Sequence, residues 1–347
     1  MVLPSMQLSI RASWSVLVMV SLIIWPLTVT AEQFAAEGVP LRNQNPFLQV
    51  FGLPPFQSAT LAADDALKYN LSFDLVSHAD ADDNALEDFA VDGESYFLTL
   101  SLRRGVTKKL ELGIDVPLVA HAGGFLDQTI EGWHDFLGLS NSKRRGPSNQ
   151  LGFGYSRAGN SLYELNSATF GLGDIQLTAA MPLRQANDSS DLSIALRSSV
   201  KLPTGAEEEL RGSGATDFSL GVYASDRHVL WRHTLDISGF AGVLLLGEGD
   251  ILSEIQRSTV PYGGVAAAWW MTERFGITTQ LYAQGAYFNS DLEELGGESV
   301  QFAVGFDYRL QRPGLSLLFA IVEDIVPATT TTPDFAVHFS IRRMGPR

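Results

Sequence analysis

The chain holds 347 residues, with 24 Lys and Arg against 39 Asp and Glu, for a net charge of −15. It has no Cys, which excludes disulfides, a thiolate metal site, a Cys nucleophile and a lipid-modified N-terminal Cys. The acidic balance argues against nucleic acid as a partner, since phosphate binding needs clustered cations, and a charged fraction of only 18% excludes an acidic disordered tail.

Residues 1–31 read as a secretory signal. Arg11 is their only charge, Trp14–Val29 is nearly all apolar, and Val29-Thr30-Ala31 supplies the small residues that place cleavage after Ala31. No later apolar run approaches the ~18 residues of a spanning helix, which excludes a helical membrane protein. Residues 32–66 contain Pro40, Pro46, Pro54 and Pro55 and cannot be a strand throughout. They form either a periplasmic tail or a plug entering a lumen from below. The second option gives Phe47, Leu48, Val50, Phe51 and Phe56 a surface to bury against.

From residue 67 to 347 the apolar residues recur with period 2, the mark of strands with two unlike faces. Twelve such runs lie near 67–78, 95–104, 109–118, 172–183, 190–202, 216–226, 230–246, 258–271, 275–289, 298–310, 314–322 and 334–342. In the first, Leu67, Tyr69, Leu71, Phe73 and Leu75 share one face, opposite Lys68, Asn70, Ser72 and Asp74. In the last, Phe335, Val337, Phe339 and Ile341 alternate with Ala336, His338, Ser340 and Arg342. Strands of about twelve residues, tilted ~40°, span the ~25 Å apolar band of an outer-membrane barrel, whereas soluble strands centre on about 5–6 residues. Tyr96, Trp231, Tyr262, Trp269, Trp270, Phe275, Tyr287 and Tyr308 fall near strand ends and suit interfacial girdles. The connections alternate long and short along the chain, the long ones acidic, beginning with an acidic first loop at 79–94. The expected fold is therefore all-β, a single antiparallel transmembrane β-barrel of about twelve strands with both termini periplasmic.

The second long connection, residues 119–171, is the least barrel-like stretch. Asp127 is placed to cap a short helix over 126–138, and Ile130, Trp133 and Leu137 share its apolar stripe as candidates for a constriction at the inner rim. His121, His134 and Asp135 also lie there, but nothing fixes a ligand geometry, so no metal or cofactor is expected. Glu207, Glu208 and Glu209 read as a solvated acidic loop. Strand alternation points Arg197, Lys201, Arg232, Asp236, Gln280, Gln284, Asp307 and Arg309 into the lumen, where they are the candidate transport residues. His338 and Ser340 share one strand face, but no orienting carboxylate or amide lies nearby in sequence, so no catalytic residue is assigned.

Two sets of motifs carry resemblances. Gly171-Leu172-Gly173-Asp174-Ile175-Gln176-Leu177, Lys201-Leu202-Pro203-Thr204-Gly205 and Gly212-Ser213-Gly214-Ala215-Thr216-Asp217 together resemble the outer-membrane family found with phenol meta-cleavage pathways, which implies a transporter-like barrel. Asn45-Pro46-Phe47 with Phe51-Gly52-Leu53-Pro54, and Trp133-His134-Asp135-Phe136-Leu137-Gly138-Leu139, resemble a domain-of-unknown-function family of Gram-negative proteins spanning nearly the whole mature chain. The chain departs from the many barrels that end on an aromatic by running on through Arg342–Arg347, with Phe339 as the nearest aromatic. The expected function is a channel or facilitator for a small solute, hydrophobic ones included. The alternative is a structural or surface-interaction barrel with a filled lumen. A lipid-modifying enzyme rests on the His338–Ser340 pair alone. Expected partners are outer-membrane lipid, lipopolysaccharide, the barrel-assembly machinery and the solute itself.

Overall fold

In the computed structural model, residues 38–126, 149–187, 189–311, 314–324 and 332–343 are described. Their alternating runs become fifteen strands. These are β1 (Leu67–Asp83), β2 (Glu87–Thr107), β3 (Leu110–Ala122), β4 (Gly152–Arg157), β5 (Asn160–Leu165), β6 (Thr169–Leu172), β7 (Gln176–Arg184) and β8 (Ser193–Lys201). There follow β9 (Asp217–Leu230), β10 (His233–Leu245), β11 (Thr259–Trp270), β12 (Phe275–Gln284), β13 (Ser299–Arg309), β14 (Leu315–Asp324) and β15 (Phe335–Arg343). Leaving aside β4, β5 and β6, the twelve others pair antiparallel in a ring, and β15 closes on β1 from Tyr69↔Arg343 to Ser77↔Phe335. The expected twelve-stranded barrel is the observed one. Closure leaves no unpaired edge, which is what a sheet in lipid requires.

The two faces sort as the period-2 pattern dictates. Leu67, Leu71, Phe73, Phe339 and Ile341 are exposed on the outer wall, while Lys68, Ser72, Asp74, His338, Ser340 and Arg342 are buried inside. Phe275, Phe306, Phe319 and Phe339 form a continuous outer row, with neighbouring ring centroids 5.0–6.4 Å apart. Trp231, Trp269 and Tyr308 are exposed near strand ends, as girdle residues should be. Tyr262, Trp270 and Tyr287 are not girdle residues: all three are buried, the first two on the inward parity of β11. Tyr262 has room because Gly242 lies against it, where a Cβ would come within 2.5 Å of its ring.

Two connections differ from expectation. Residues 79–94 are not a loop: β1 and β2 run on as a hairpin to Asp83↔Asp88, and the Asn84 side-chain carbonyl accepts the Leu86 and Glu87 N–H groups at 2.8 Å. The acidic residues there alternate with Ala79, Ala81, Phe89 and Val91, whose burial supplies the second face a strand needs. Within 119–171, β4 and β5 form a second hairpin, turning at Ala158 and Gly159 with φ of 51° and 77°. β4 pairs with the Glu87–Asp92 stretch of β2, and β6 pairs with Leu118–His121 of β3. The expected helix over 126–138 lies almost wholly outside the described residues, and with it Ile130, Trp133 and Leu137. Glu207–Glu209 form one 3-10 turn, and Glu293–Gly296 a single helical turn in the β12–β13 connection.

Candidate functional site: an occupied lumen

Residues 38–62 lie inside the barrel, and Asp64 and Asp65 emerge at its rim before β1. The end where β1 begins and β15 finishes is the terminal end; the opposite end is the loop end. At the terminal end the Arg342 guanidinium donates to the Gly38 carbonyl (3.2 Å), and above it Gln280 donates to the Val39 carbonyl (3.0 Å). The segment climbs to the loop end, where Asn43 Nδ2 donates to Ser299 Oγ (3.1 Å) and Gly52 N donates to Asp217 Oδ2 (2.8 Å). It then descends past Tyr282, which donates to the Pro54 carbonyl (2.7 Å), and Arg197, which donates to the Ser58 carbonyl (3.0 Å). Ala62 N meets Glu111 Oε2 (2.5 Å) and Lys68 Nζ meets the Thr60 carbonyl (2.9 Å) before β1 begins.

The prolines explain this manner of attachment. Pro lacks an N–H and cannot sustain a ladder, so the segment's backbone groups are satisfied one at a time by wall side chains. Its tip is a local turn. Asn43 Oδ1 accepts the Asn45 N–H (2.9 Å), Asn45 Oδ1 accepts the Phe47 N–H (3.0 Å), and the Asn45 carbonyl accepts Leu48 N and Gln49 N. The apolar residues beyond it join wall side chains in the largest buried cluster among the described residues. Phe47 packs on Phe89 and Tyr163 at 5.5 Å, Phe51 on Tyr287 at 5.3 Å, and Phe56 edge-on against Phe240 at 5.0 Å.

A buried ionic node fastens the loop end. Lys201 Nζ lies 2.6 Å from Asp174 Oδ2 and 3.3 Å from Asp217 Oδ2, donates to the Val50 carbonyl at 3.0 Å, and is hydrogen-bonded to Ser213 Oγ. Asp174 also accepts the N–H groups of Thr204 (2.9 Å), Gly205 (2.8 Å) and Ser213 (3.2 Å). The three stretches that carried the transporter-like resemblance therefore converge on one point, and that point grips the inner segment. Gly52 fits there because a Cβ would sit 2.9 Å from Asp217 Cβ.

The other candidate lumen residues separate. Arg197 is buried and paired with Glu111 at 2.7 Å. Asp236 is buried and bridges Arg227 (2.6 Å) and the Trp270 indole N–H (3.0 Å). Asp307 is buried against Arg342, and Gln280 and Gln284 are buried on β12. Arg309 stacks on the Trp270 ring, 3.4 Å from its centroid, at the terminal rim. Arg232 does not face the lumen. It is exposed in the two-residue turn between β9 and β10, because β9 continues to Leu230 and the turn is made by Trp231 at φ 57°. Lys68, Glu111, Asp174, Asp217 and Arg342 were not singled out, although the same alternation that placed Arg197 inward also places Lys68 and Arg342.

Further polar groups line the interior. Ser95 Oγ is hydrogen-bonded to His78 Nε2 (2.9 Å) and His121 Nδ1 (2.8 Å), and both rings stand edge-on to Phe153. His338 Nδ1 pairs with Asp74 at 2.6 Å, an orienting carboxylate contributed by the neighbouring strand. His338 Nε2 and Ser340 Oγ nevertheless share no hydrogen bond, and both are buried inside the wall. Beyond the barrel proper, burial by itself would raise the Glu87 carboxyl. Hydrogen bonds from Tyr155 (2.5 Å), Ser290 (3.0 Å), Asp291 N (3.2 Å) and Asn84 (3.4 Å) outweigh that and hold its pKa below the ordinary value. No group of three or more metal-ligating side chains exists among the described residues.

Residues 15–344 match the profile of the family described as "Protein of unknown function (DUF3187)". The chain belongs to that family. The resemblance carried by Asn45-Pro46-Phe47 and its companions thus pointed to a family of the right kind. No curated protein matches the DUF3187 chain in sequence. Among solved structures it is similar to the COG4313 outer membrane channel from Pseudomonas putida F1, at 12% identity and a TM-score of 0.51, covering 85% of this chain and 98% of that one. Weaker likenesses include the NanC porin (9% identity, TM-score 0.42, covering 80% and 99%) and the CymD monoaromatic hydrocarbon channel (11%, 0.35, covering 90% and 95%). At 12% identity the likeness to the COG4313 channel establishes the fold alone, a closed antiparallel β-barrel.

Proposed function

We propose that this DUF3187 protein is an outer-membrane channel for a small solute, with its lumen narrowed by residues 38–62 acting as a plug. The observation that carries the reading is the plug's attachment. The twelve-strand ring closes through its own ladder without it, while discrete side-chain contacts hold it in place. An element fastened in this way can shift without breaking the barrel. The COG4313 likeness supports a channel fold. In this reading both termini face the periplasm and the β4–β5 hairpin faces outward. The competing reading is a structural barrel with a permanently filled lumen, favoured by the complete burial of Phe47, Phe51 and Phe56.

Solute influx into proteoliposomes separates them. A channel passes small solutes slowly as the wild type and faster when the plug is loosened by Phe51→Ala. A structural barrel gives no influx with either protein, and that result would refute the proposal.

A further inference from the structure

The inner segment does not fill the lumen evenly. Its aromatic side packs towards β9, β10 and β12, where Phe56 meets Phe240 and Tyr282 holds the Pro54 carbonyl. Towards β1, β2 and β3 it leaves two clefts, of about 60 and 50 Å³, which share Pro40, Pro55, Asn70 and Ser101 in their walls and so form one seam.

Strand register builds the barrel side of this seam. Asn70 of β1 lies opposite Ser101 of β2, Ser101 opposite Asp115 of β3, and Asp115 opposite Gln176 of β7. Two residues nearer the loop end, Ser72 lies opposite Thr99. All six line the upper cleft. Within the row, Asn70 Oδ1, Asp115 Oδ1 and Gln176 Oε1 accept no hydrogen bond from any described residue, although all three atoms are buried. Buried acceptors without a donor cost free energy, so the row favours a solute that brings donors. Pro40 and Pro55 of the inner segment face it with their ring methylenes.

Fixed charges along the seam cancel. Arg103 pairs with Asp115 at 2.8 Å, Arg197 with Glu111 at 2.7 Å, Arg342 with Asp307, and Asp174 with Lys201 at 2.6 Å. The two further cations, Lys68 and Arg42, are matched by Asp74 and by Asp217, which shares Lys201 at 3.3 Å. Arg343 stands outside this balance, on the outward face of β15 with Phe339 and Ile341. With His338 counted neutral, neither sign is in excess, and the seam has no net field to draw in an ion of either sign.

We infer that the seam is the solute route and that its substrate is a small uncharged polyhydroxy compound, a polyol or a sugar. A sideways shift of the plug uncovers the row from Asn70 to Gln176. The solute's hydroxyls donate to it while the C–H face slides along Pro40 and Pro55. Ions gain nothing from a seam without net charge, and hydrocarbons leave the three acceptors unpaired. This rests on the channel reading above, which leaves the chemistry of the solute open.

The test is swelling of liposomes that hold the purified full-length mature protein, with the rate in protein-free liposomes subtracted. Xylitol and triethylene glycol are both uncharged and close in mass, but xylitol carries a hydroxyl on every carbon and triethylene glycol only at its ends. Xylitol should enter the faster of the two. Asn70→Leu and Thr99→Val should each slow xylitol by about fivefold, the worth of one hydrogen bond, and leave triethylene glycol within about twofold. Thr99→Val keeps the side-chain shape, so it carries the test if Asn70→Leu fails to fold by heat-modifiable mobility. In planar bilayers under a KCl gradient, chloride and potassium should permeate within about threefold of each other. A larger preference for either ion overturns the charge balance and the inference with it. Triethylene glycol entering as fast as xylitol, or xylitol unmoved by both substitutions, overturns the substrate class and leaves the channel reading standing. No swelling with either solute, by wild type or Phe51→Ala, overturns the channel reading as well.

Discussion

Lys201→Met is the sharpest perturbation of the plug. The ammonium is buried, with 2% of its side chain exposed, between Asp174 at 2.6 Å and Asp217 at 3.3 Å. Removing it strands two buried carboxylates and deprives the Val50 carbonyl of its donor. Breaking a buried pair from one side costs roughly 3–5 kcal/mol, and every 1.4 kcal/mol is tenfold in an equilibrium. The docked state of the loop end should therefore weaken by about two to three orders of magnitude, while the ring, whose ladder does not use the ammonium, stays closed. The expected result is folded mobility in unheated gels, solute influx raised at least about tenfold, and trypsin cleavage after Arg42, a site now held within the lumen. Asp217→Asn added to Lys201→Met removes one stranded charge and should recover part of the loss. Unchanged influx with Arg42 still protected would show that the cost falls on the β8–β9 connection, and the latch argument would be wrong.

Phe51→Ala deletes a fully buried ring packed on Tyr287 and Phe288 and should cost the docked plug about 3–5 kcal/mol, read as faster influx at unchanged heat-modifiability. Phe339→Arg puts a cation on the outer aromatic row and should destabilise the barrel by about 2–4 kcal/mol, measured by reversible unfolding in lipid; a change within error would place that row outside the bilayer. Glu87 has a lowered pKa in the folded protein, so its stabilisation of the β2–β4 pairing is complete above the ordinary carboxylate pKa and disappears as pH falls through the lowered value. Amide exchange at residues 153–157, corrected for its intrinsic pH dependence, should rise in that acid window and lose the dependence in Glu87→Gln.

Every barrel strand was legible because alternation over nine or more residues repeats its message many times and a long two-faced strand has few other uses. The ends were less legible. The hairpin at 79–94 hid because its apolar positions include Ala79 and Ala81, which mark a face weakly beside Asp80, Asp82 and Asp83. Arg232 was misplaced by one turn: Trp231 reads as strand until its positive φ makes it a corner. The plug's fastening has no periodic signature at all. Lys201 meets Val50 across 151 positions and Gln280 meets Val39 across 241, and such pairs leave no pattern in a single sequence. What did survive in the sequence was the trio of Gly-bearing motifs, two of them with an Asp, whose shared purpose appears only when they meet around Lys201.

Chain length limits how the plug can move. Its feet are held at the terminal end by Arg342 on Gly38 and by Lys68 on Thr60. From Val39 to Phe47 the rising arm has about nine residues, an extended reach of ~30 Å, little more than the ~25 Å apolar band it climbs. The tip cannot leave through the loop end while the feet hold, nor slide down while Lys201 and Asp217 hold the other end. The freedom that remains is sideways. On the β9–β12 side a shift must part Phe56 from Phe240 and Tyr282 from Pro54, whereas towards β1–β3 the groups already face a cleft. Loosening either anchor should therefore widen that cleft first, and larger solutes should gain passage while the segment is still inside the barrel. Size exclusion in Lys201→Met should relax only in part; passage of solutes as large as those admitted after deletion of residues 38–62 would mean the whole segment has left the barrel.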